Sequence, residues 1–145
     1  MIRNNTAAIA HICGGEEHPQ LHGTVRFLPR CGGTLVVADI RGLPDSKMGF
    51  FAFHIHEGNN CQSEGFSNTG SHYNPCEENH PCHAGDLPPL LSNNGRAYCQ
   101  VFTGRFCVSD IIGRSVVIHS GPDDFTTQPS GNAGSKIACG VICRA

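Results

Sequence analysis

The apolar residues of this chain fall in short runs that are separated by turn residues. No window of eleven or more residues repeats its apolar positions with the 3.6-residue period of an amphipathic helix. Residues 21–28 instead alternate, with Val25 and Phe27 on one face, as in a half-buried strand. This pattern predicts strands at 7–12, 21–28, 34–40, 49–56, 95–103, 115–119 and 137–142, and allows an eighth at 106–109. Many short strands without a helix indicate an all-β antiparallel sandwich or small barrel.

Two long stretches interrupt this rhythm, at about 57–94 and about 120–136. Loops of that length in a compact domain are usually functional or disordered. The first stretch contains three histidines and several acidic residues, so we expect it to be functional. The chain shows no internal repeat and no composition boundary, and residues 1–145 are therefore predicted to form a single domain.

Charge and hydropathy exclude several partners. The formal net charge of the 145 residues is −2, and nucleic acid or an anionic membrane surface would need a cationic patch. No apolar run approaches the roughly 20 residues of a membrane span. Residues 1–5 lack the apolar core of a signal peptide. We therefore expect no nucleic acid, no membrane and a cytoplasmic location, with export left open.

Two counts are unusual, because the chain has nine histidines and nine cysteines. No two cysteines have the C-x-x-C spacing of zinc ribbons and thioredoxin-like redox motifs. An odd number leaves at least one thiol unpaired or paired between chains. Cys13, Cys99 and Cys107 lie in or beside apolar runs, and we expect them to be small buried hydrophobes without chemistry.

The histidines are arranged as ligands for a metal. His54 and His56 stand two residues apart in a predicted strand, so both imidazoles point to the same side. The alternative for this pair is a polar stripe on a solvent-exposed face. The following loop adds further nitrogen and oxygen donors at His72, His80, His83 and Asp86. Such a donor set is large enough for a tetrahedral zinc site and suits zinc or copper(II).

Two further features bear on this metal site. Cys76 and Cys82 flank His80, and a zinc site that includes these thiols is the alternative to a site built from nitrogen and oxygen alone. His119 closes the apolar strand 115–119. A lone histidine there is usually structural, but a barrel can bring its strand beside the one that carries His54 and His56.

Five segments together resemble the copper/zinc superoxide dismutase family and follow its order along nearly the whole chain. They are Phe-His-Ile-His-Glu at 53–57, Gly-Ser-His-Tyr-Asn-Pro at 70–75, His-Ala-Gly-Asp-Leu-Pro at 83–88, Ile-Gly-Arg-Ser-Val-Val-Ile-His at 112–119 and Gly-Asn-Ala-Gly-Ser-Lys-Ile-Ala-Cys-Gly-Val-Ile at 131–142. Each motif is weak alone, but the ordered set is very specific. The sequences of segments 83–90 and 119–130 are similar to those of the bacterial branch of the family, as in Firmicutes.

The resemblance implies an eight-stranded Greek-key barrel and the dismutation of superoxide to O2 and H2O2. One copper per chain would cycle between Cu(II) and Cu(I), and one zinc per chain would be structural. The copper ligands by motif match are His54, His56, His72 and His119. The zinc ligands by motif match are His72, His80, His83 and Asp86. His72 would bridge both metals as an imidazolate and pass a proton to the product.

The same match gives roles to residues around the metals. Asp123 would link His54 to His80 by hydrogen bonds and so orient both rings. Cys61 and Cys139 match the family disulfide. Lys136 stands where the family has its channel arginine, and it would steer superoxide as a compact ammonium. The alternative for Lys136 is a surface lysine unrelated to catalysis.

Some features depart from the family pattern or leave alternatives. The loop between Asp124 and Gly131 is short, and Cys76 and Cys82 are surplus thiols that would pair with each other or stay reduced. Together with Lys136, these departures motivate an alternative function, a copper- or zinc-buffering protein on the same fold with little dismutase activity. Residues 111–113 are similar to a segment used in one family dimer interface, which gives a homodimer as one expected state.

Overall fold

Eight antiparallel strands form one sheet that curls into a nearly closed barrel in the computed structural model, which describes residues 6–145. The strands are β1 (Ala8–Gly14), β2 (His22–Arg30), β3 (Gly33–Arg41), β4 (Phe50–His56), β5 (Asp86–Leu91), β6 (Ala97–Thr103), β7 (Ser115–His119) and β8 (Lys136–Arg144). Their order across the sheet is β5-β4-β7-β8-β1-β2-β3-β6. The crossovers that place β6 beside β3 and β7 beside β4 are consistent with the predicted Greek-key barrel, which is confirmed.

The interior and exterior of the barrel follow the alternation along each strand. On β4, Phe51, Phe53 and Ile55 join the main core, and the intervening residues point outwards. Every residue of β7 is nevertheless buried, as is every residue of β4 from Phe51 on. The outer face of these two strands is covered by the loops at 57–85 and 120–135, so polar side chains placed there are shielded from water.

The structure differs from the predicted strand pattern at two places. Strand β5 lies inside the segment 57–94 that was predicted to be a loop. The sequence did not predict this strand because Pro88 and Pro89 argue against one. The two prolines are tolerated because β5 is an edge strand of the sheet, where a residue without a backbone N–H removes few hydrogen bonds from the ladder. The tentative strand 106–109 is also absent. A short helix, α1 (Val108–Ile111), forms there, and Asp110 accepts a hydrogen bond from the Cys107 N–H at 2.8 Å.

The cysteines divide into one pair and seven free thiols. Cys61 and Cys139 form a disulfide that ties the loop 57–85 to β8. The free thiols are Cys13, Cys31, Cys76, Cys82, Cys99, Cys107 and Cys143. The expectation of buried thiols was wrong for Cys13 and Cys107, which are exposed. Cys13 lies on the outer side of β1, since Ala10 and Ile12 fill the interior positions.

Burial raises the pKa of the half-buried Cys99 thiol. Among residues 6–145, we find no helix with the length and apolar character that crossing a membrane requires.

Candidate metal centre

Three histidines on the outer face of β4 and β7 form what we call the strand cluster: His54, His56 and His119. The two strands pair in register, with His54 opposite Val117 and His56 opposite Ser115. The ring of His119 lies 5.2 Å from that of His54 and 5.4 Å from that of His56, between centroids. All three side chains are buried. The predicted convergence of these histidines is therefore present in the structure.

The hydrogen bonds of the strand cluster leave lone pairs pointing at one another. His56 donates from Nδ1 to the Gly70 carbonyl at 2.8 Å, and His119 donates from Nδ1 to the Gly134 carbonyl at 3.2 Å. Both Nε2 atoms are then acceptors, and they lie 3.2 Å apart. Nδ1 of His54 is buried and has no hydrogen-bond partner among residues 6–145. Buried acceptors that face each other are unfavourable unless a cation lies among them, so the arrangement fits a bound metal.

A second group, the loop cluster, consists of His72, His80 and His83 from the loop 57–85 and Asp86 at the start of β5. Asp86 Oδ1 lies 2.7 Å from His72 Nδ1. Asp86 Oδ2 lies 3.1 Å from His80 Nδ1 and 3.2 Å from His83 Nδ1. Nδ1 of His80 makes no hydrogen bond despite this short distance. One carboxylate surrounded by three imidazole nitrogens is a donor set that a zinc ion would satisfy.

His72 lies between the two clusters. Its ring centroid is 4.0 Å from that of His54 and 4.9 Å from that of His56. Nδ1 contacts Asp86, whereas Nε2 is buried without a partner. A single imidazole therefore offers one nitrogen to the loop cluster, while its other nitrogen has no partner in the part of the chain that the structure describes.

The described residues contain two sets of four whose potential ligand atoms all lie within 4.8 Å of one another. The first is His54, His56, His72 and His119, and the second is His54, His72, His80 and Asp86. The first set has the same members as the predicted copper ligands. The second shares three members with the predicted zinc ligands but holds His54 in place of His83. No cysteine belongs to either set, so the thiolate zinc site considered for Cys76 and Cys82 has no support.

Asp123 connects the two clusters. Its Oδ2 accepts from His54 Nε2 at 2.8 Å, and its Oδ1 accepts from His80 Nε2 at 2.7 Å. Gly131 stands against this bridge with φ +77°, and a Cβ there would lie 2.0 Å from Asp123 Oδ1. Sequence reasoning missed Gly131, although a glycine in the loop after Asp123 was the available signal.

Lys136 begins β8 opposite His119. Its Nζ donates to Thr69 Oγ1 at 2.8 Å and to the Gly70 carbonyl at 3.0 Å, the carbonyl that also accepts from His56. Partial burial lowers the pKa of the Lys136 ammonium. A positive charge is therefore held beside the strand cluster by the loop, and Thr69 is a contact that the sequence did not indicate.

Two more residues that the sequence did not indicate hold the loop through its backbone. Gln128 accepts from the His80 N–H at 2.9 Å and donates to the His80 carbonyl at 2.7 Å. Arg105 donates to the carbonyls of Pro81 and His83 at 2.7 and 3.1 Å. Contacts to backbone groups depend on the path of the loop rather than on residue type, so no sequence pattern marks them.

Burial sets the charge of the donors. Burial lowers the pKa of His54 and of His56 to about 2, and that of His119 to about 4, so these imidazoles are neutral with lone pairs available. For Asp86, burial raises the pKa, but the hydrogen bond from His72 and the neighbouring imidazoles outweigh it, and the pKa lies below its usual value. Neutral imidazoles around an ionised carboxylate suit a divalent cation.

Comparison with known proteins agrees with this geometry. The family model described as copper/zinc superoxide dismutase matches residues 21–142. A relative named copper–zinc superoxide dismutase 2, from Aquifex aeolicus, is 34% identical over 135 residues, covering 83% of this chain and 78% of the relative. The copper–zinc superoxide dismutase 3 of Arabidopsis thaliana is 34% identical over 157 residues, covering 97% and 92%. The chain therefore belongs to the copper/zinc superoxide dismutase family.

Proposed function

We propose that this protein is a superoxide dismutase that converts superoxide to O2 and H2O2. The observation that carries the proposal is the strand cluster, in which two buried Nε2 acceptors face each other at 3.2 Å beside the Lys136 ammonium. Copper bound there would supply one-electron chemistry by cycling between Cu(II) and Cu(I). The metal-buffering alternative is not favoured, since family membership and a cation fixed at the site both point to catalysis on a small anion.

We assign the metals as the family motifs imply. Copper would be held by His54, His56, His72 and His119, and zinc by His72, His80, His83 and Asp86. His83 supports the zinc assignment because its Nδ1 lies 3.2 Å from His72 Nδ1 and from Asp86 Oδ2. In the catalytic cycle, His72 would take a proton at Nε2 and give it to the peroxide product. Its Nε2 is buried and accepts no hydrogen bond from the described residues.

Asp123 would orient the rings of both sites. Each of its oxygens accepts from a different imidazole, and each bond leaves the opposite ring nitrogen, Nδ1, as the donor atom to metal. Residues that fix ligands in this way commonly change metal affinity or activity by about 10–100-fold when they are replaced.

Lys136 would attract and orient superoxide. An ammonium has three N–H donors, and the hydrogen bonds to Thr69 and Gly70 use two of them, which leaves one for an anion. Local positive charge steers a small anion even though the chain as a whole carries a net charge of −2. In Lys136→Ala, the rate of superoxide decay and its dependence on salt concentration should therefore fall together. Lys136→Arg should keep both the rate and its salt dependence.

The proposal is tested on purified protein loaded with copper and zinc. We expect about one of each metal per chain by elemental analysis and superoxide decay far above that of the metal-free protein. His56→Ala should reduce the rate by more than about 100-fold, because a direct ligand matters more than the groups that orient it. His11→Ala, an exposed histidine on β1, is the matched control and should keep full activity. Stoichiometric metal without catalysis would instead support the buffering protein.

We also propose that residues 1–145 act as one domain without nucleic-acid or membrane partners. The low net charge supports this view, since both partners require a cationic surface. A cytoplasmic location is supported by the seven free thiols, which persist in reducing compartments. Thiol labelling of fractionated cells tests the location.

A homodimer is the remaining proposal. Phe50 and Leu91 lie opposite each other on β4 and β5 and are 39% and 50% exposed. Paired exposed apolar side chains support an interface between copies more strongly than the segment 111–113, in which Ile111 is fully buried. Sedimentation of the native chain and a Phe50→Ser/Leu91→Ser variant tests this proposal.

A further inference from the structure

We propose that Cys13 is a thiol–disulfide exchange site that acts on the Cys61–Cys139 disulfide. Cys13 and Cys139 lie directly opposite each other on the antiparallel strands β1 and β8. Opposed residues of such a pair point to the same face of the sheet, with Cα atoms about 4.5–5.5 Å apart. That spacing lies within the roughly 4.4–6.8 Å that a disulfide requires. Cys139 could therefore pair with either of two cysteines, although only one pair forms in the structure.

The shared face is the outer one. Cys139 packs there with Val117, Phe66 and its disulfide partner Cys61, apart from the main core. Cys13 is exposed on the same side. Gly15, two residues beyond Cys13, marks how closely the loop approaches β1, since a Cβ there would lie 3.3 Å from the Phe66 ring. Cys13 therefore sits at the accessible margin of the disulfide rather than on a remote surface.

The exchange step is balanced within the chain. The Cys13 thiolate attacks Sγ of Cys139, the Cys13–Cys139 bond forms, and the Cys139–Cys61 bond breaks. Cys61 leaves as a thiolate and takes up a proton, which replaces the one that Cys13 lost. The number of disulfides is unchanged, so no external oxidant or reductant is consumed.

A base lies next to the attacking thiol. His22 is opposite Cys13 on β2, on the side away from Cys139. Its Nδ1 donates to the Gln20 carbonyl at 2.8 Å, so its Nε2 is left as an acceptor for the thiol proton. The chain thus places a proton acceptor, a thiol and a disulfide in one row across three neighbouring strands.

The exchange would change the loop that holds the metal-binding histidines. Cys61 is the covalent link between the loop 57–85 and β8. With Cys139 joined to Cys13 instead, the disulfide lies between two paired strands and the loop is no longer tied covalently. The site would therefore couple thiol chemistry to the freedom of the loop that carries His72, His80 and His83.

The native chain provides the first test. It is incubated in mildly alkaline buffer without added oxidant or reductant, its thiols are blocked with N-ethylmaleimide, and disulfides are mapped by mass spectrometry. We expect a Cys13–Cys139 peptide together with blocked Cys61. In Cys13→Ser the labelling of Cys61 should fall at least about tenfold. Cys143→Ser is the control. It removes a different exposed thiol, on β8, and should behave like the native chain.

Equal labelling of Cys61 in the native chain and in Cys13→Ser, or no labelling in either, would overturn the proposal. A second variant tests the geometry directly. In Cys61→Ser exposed to oxidised glutathione, we expect a Cys13–Cys139 disulfide that is lost in Cys61→Ser/Cys13→Ser. Separate glutathione adducts on Cys13 and Cys139 would contradict it. If Cys61→Ser fails to fold, the measurement on the native chain still decides the question.

Discussion

The strand cluster and the loop cluster place the same kind of side chain by different means. His54, His56 and His119 belong to strands whose ladder bonds already set their directions, and each ring also donates a hydrogen bond to a covering loop. His80 and His83 belong to a segment without ladder bonds of its own. The barrel strands therefore fix the positions of His54, His56 and His119, whereas His80 and His83 depend on contacts that hold the loop against the barrel.

Besides the contacts of Gln128 and Arg105, three ties supply that dependence, and each joins the loop 57–85 to another part of the chain. The Cys61–Cys139 disulfide is covalent, Asp123 links His80 to His54, and Lys136 bonds to Thr69 and Gly70. Breaking a tie should therefore affect the loop cluster more than the strand cluster, whereas acid acts on the buried imidazoles of the strand cluster.

Acid should have the largest effect, and it acts on the strand cluster. In the unfolded chain these imidazoles have a pKa near 6.5, whereas burial lowers the pKa to about 2 for His54 and His56 and to about 4 for His119. Below pH 6.5 the unfolded state binds protons that the folded state does not, so stability is present above that pH and is lost as the pH falls. At about pH 5, each of these imidazoles should lower the free energy of unfolding by on the order of 2 kcal/mol relative to neutral pH.

Urea unfolding of the metal-free protein at neutral and mildly acidic pH measures this loss. His119→Gln should reduce the pH dependence by removing one of the three groups, while His11→Gln, an exposed residue of β1, should leave it unchanged. Equal unfolding free energies at the two pH values would show that the buried imidazoles are not the acid-sensitive part of the fold.

Cys61→Ser should have the next largest effect, because it removes the covalent tie. The two cysteines are 78 residues apart, and closing a loop of that length contributes about 4 kcal/mol to the free energy of unfolding. Zinc affinity should fall more than copper affinity, since the strand cluster keeps its ladder bonds. Cys31→Ser, an exposed free thiol between β2 and β3, is the control for loss of a cysteine. An equal loss of both metals would argue that the two clusters are not held separately.

Asp123→Asn should weaken the link between the clusters by a smaller amount. The amide can accept from one imidazole only, and its NH2 group then faces the other ring, so one histidine loses its orientation. We expect zinc affinity to fall about 10–100-fold, as measured by competition with a chelator. The matched control is Asp124→Asn, because Asp124 is exposed and, among residues 6–145, its side chain bonds only to Thr126 and Thr127 within its own turn. A comparable loss of zinc affinity in both variants would mean that the loop 120–135, and not the hydrogen bonds from Asp123 to His54 and His80, causes the effect.

The same division explains what the sequence could predict. The apolar pattern marked β4 and β7 as short runs, and the fixed period of a strand then gave the direction of His54 and His56. It missed β5, whose two prolines look like a loop and are tolerated only because the strand is an edge. It also missed Thr69 and Gln128, since their contacts are to groups brought close only by the path of the loop. The local period of a strand predicts the direction of side chains on that strand. It carries no information on the contacts that hold the loop 57–85 against the barrel.

Thr69→Val should give the smallest effect, because valine keeps the shape of the side chain and removes only the hydroxyl, with its hydrogen bonds to Lys136 and to the Phe66 carbonyl. Thr69 is fully buried, accepts from the Lys136 ammonium and donates to the Phe66 carbonyl. Valine leaves the ammonium held by Gly70 alone, so its position becomes less defined while its charge remains. We expect kcat/KM for superoxide to fall about two- to fivefold, consistent with one hydrogen bond of roughly 0.5–1 kcal/mol, with metal content unchanged. Thr69→Ser should restore the rate, because serine keeps the hydroxyl. A loss of zinc in Thr69→Val would mean that Thr69 supports the loop itself and not the position of Lys136.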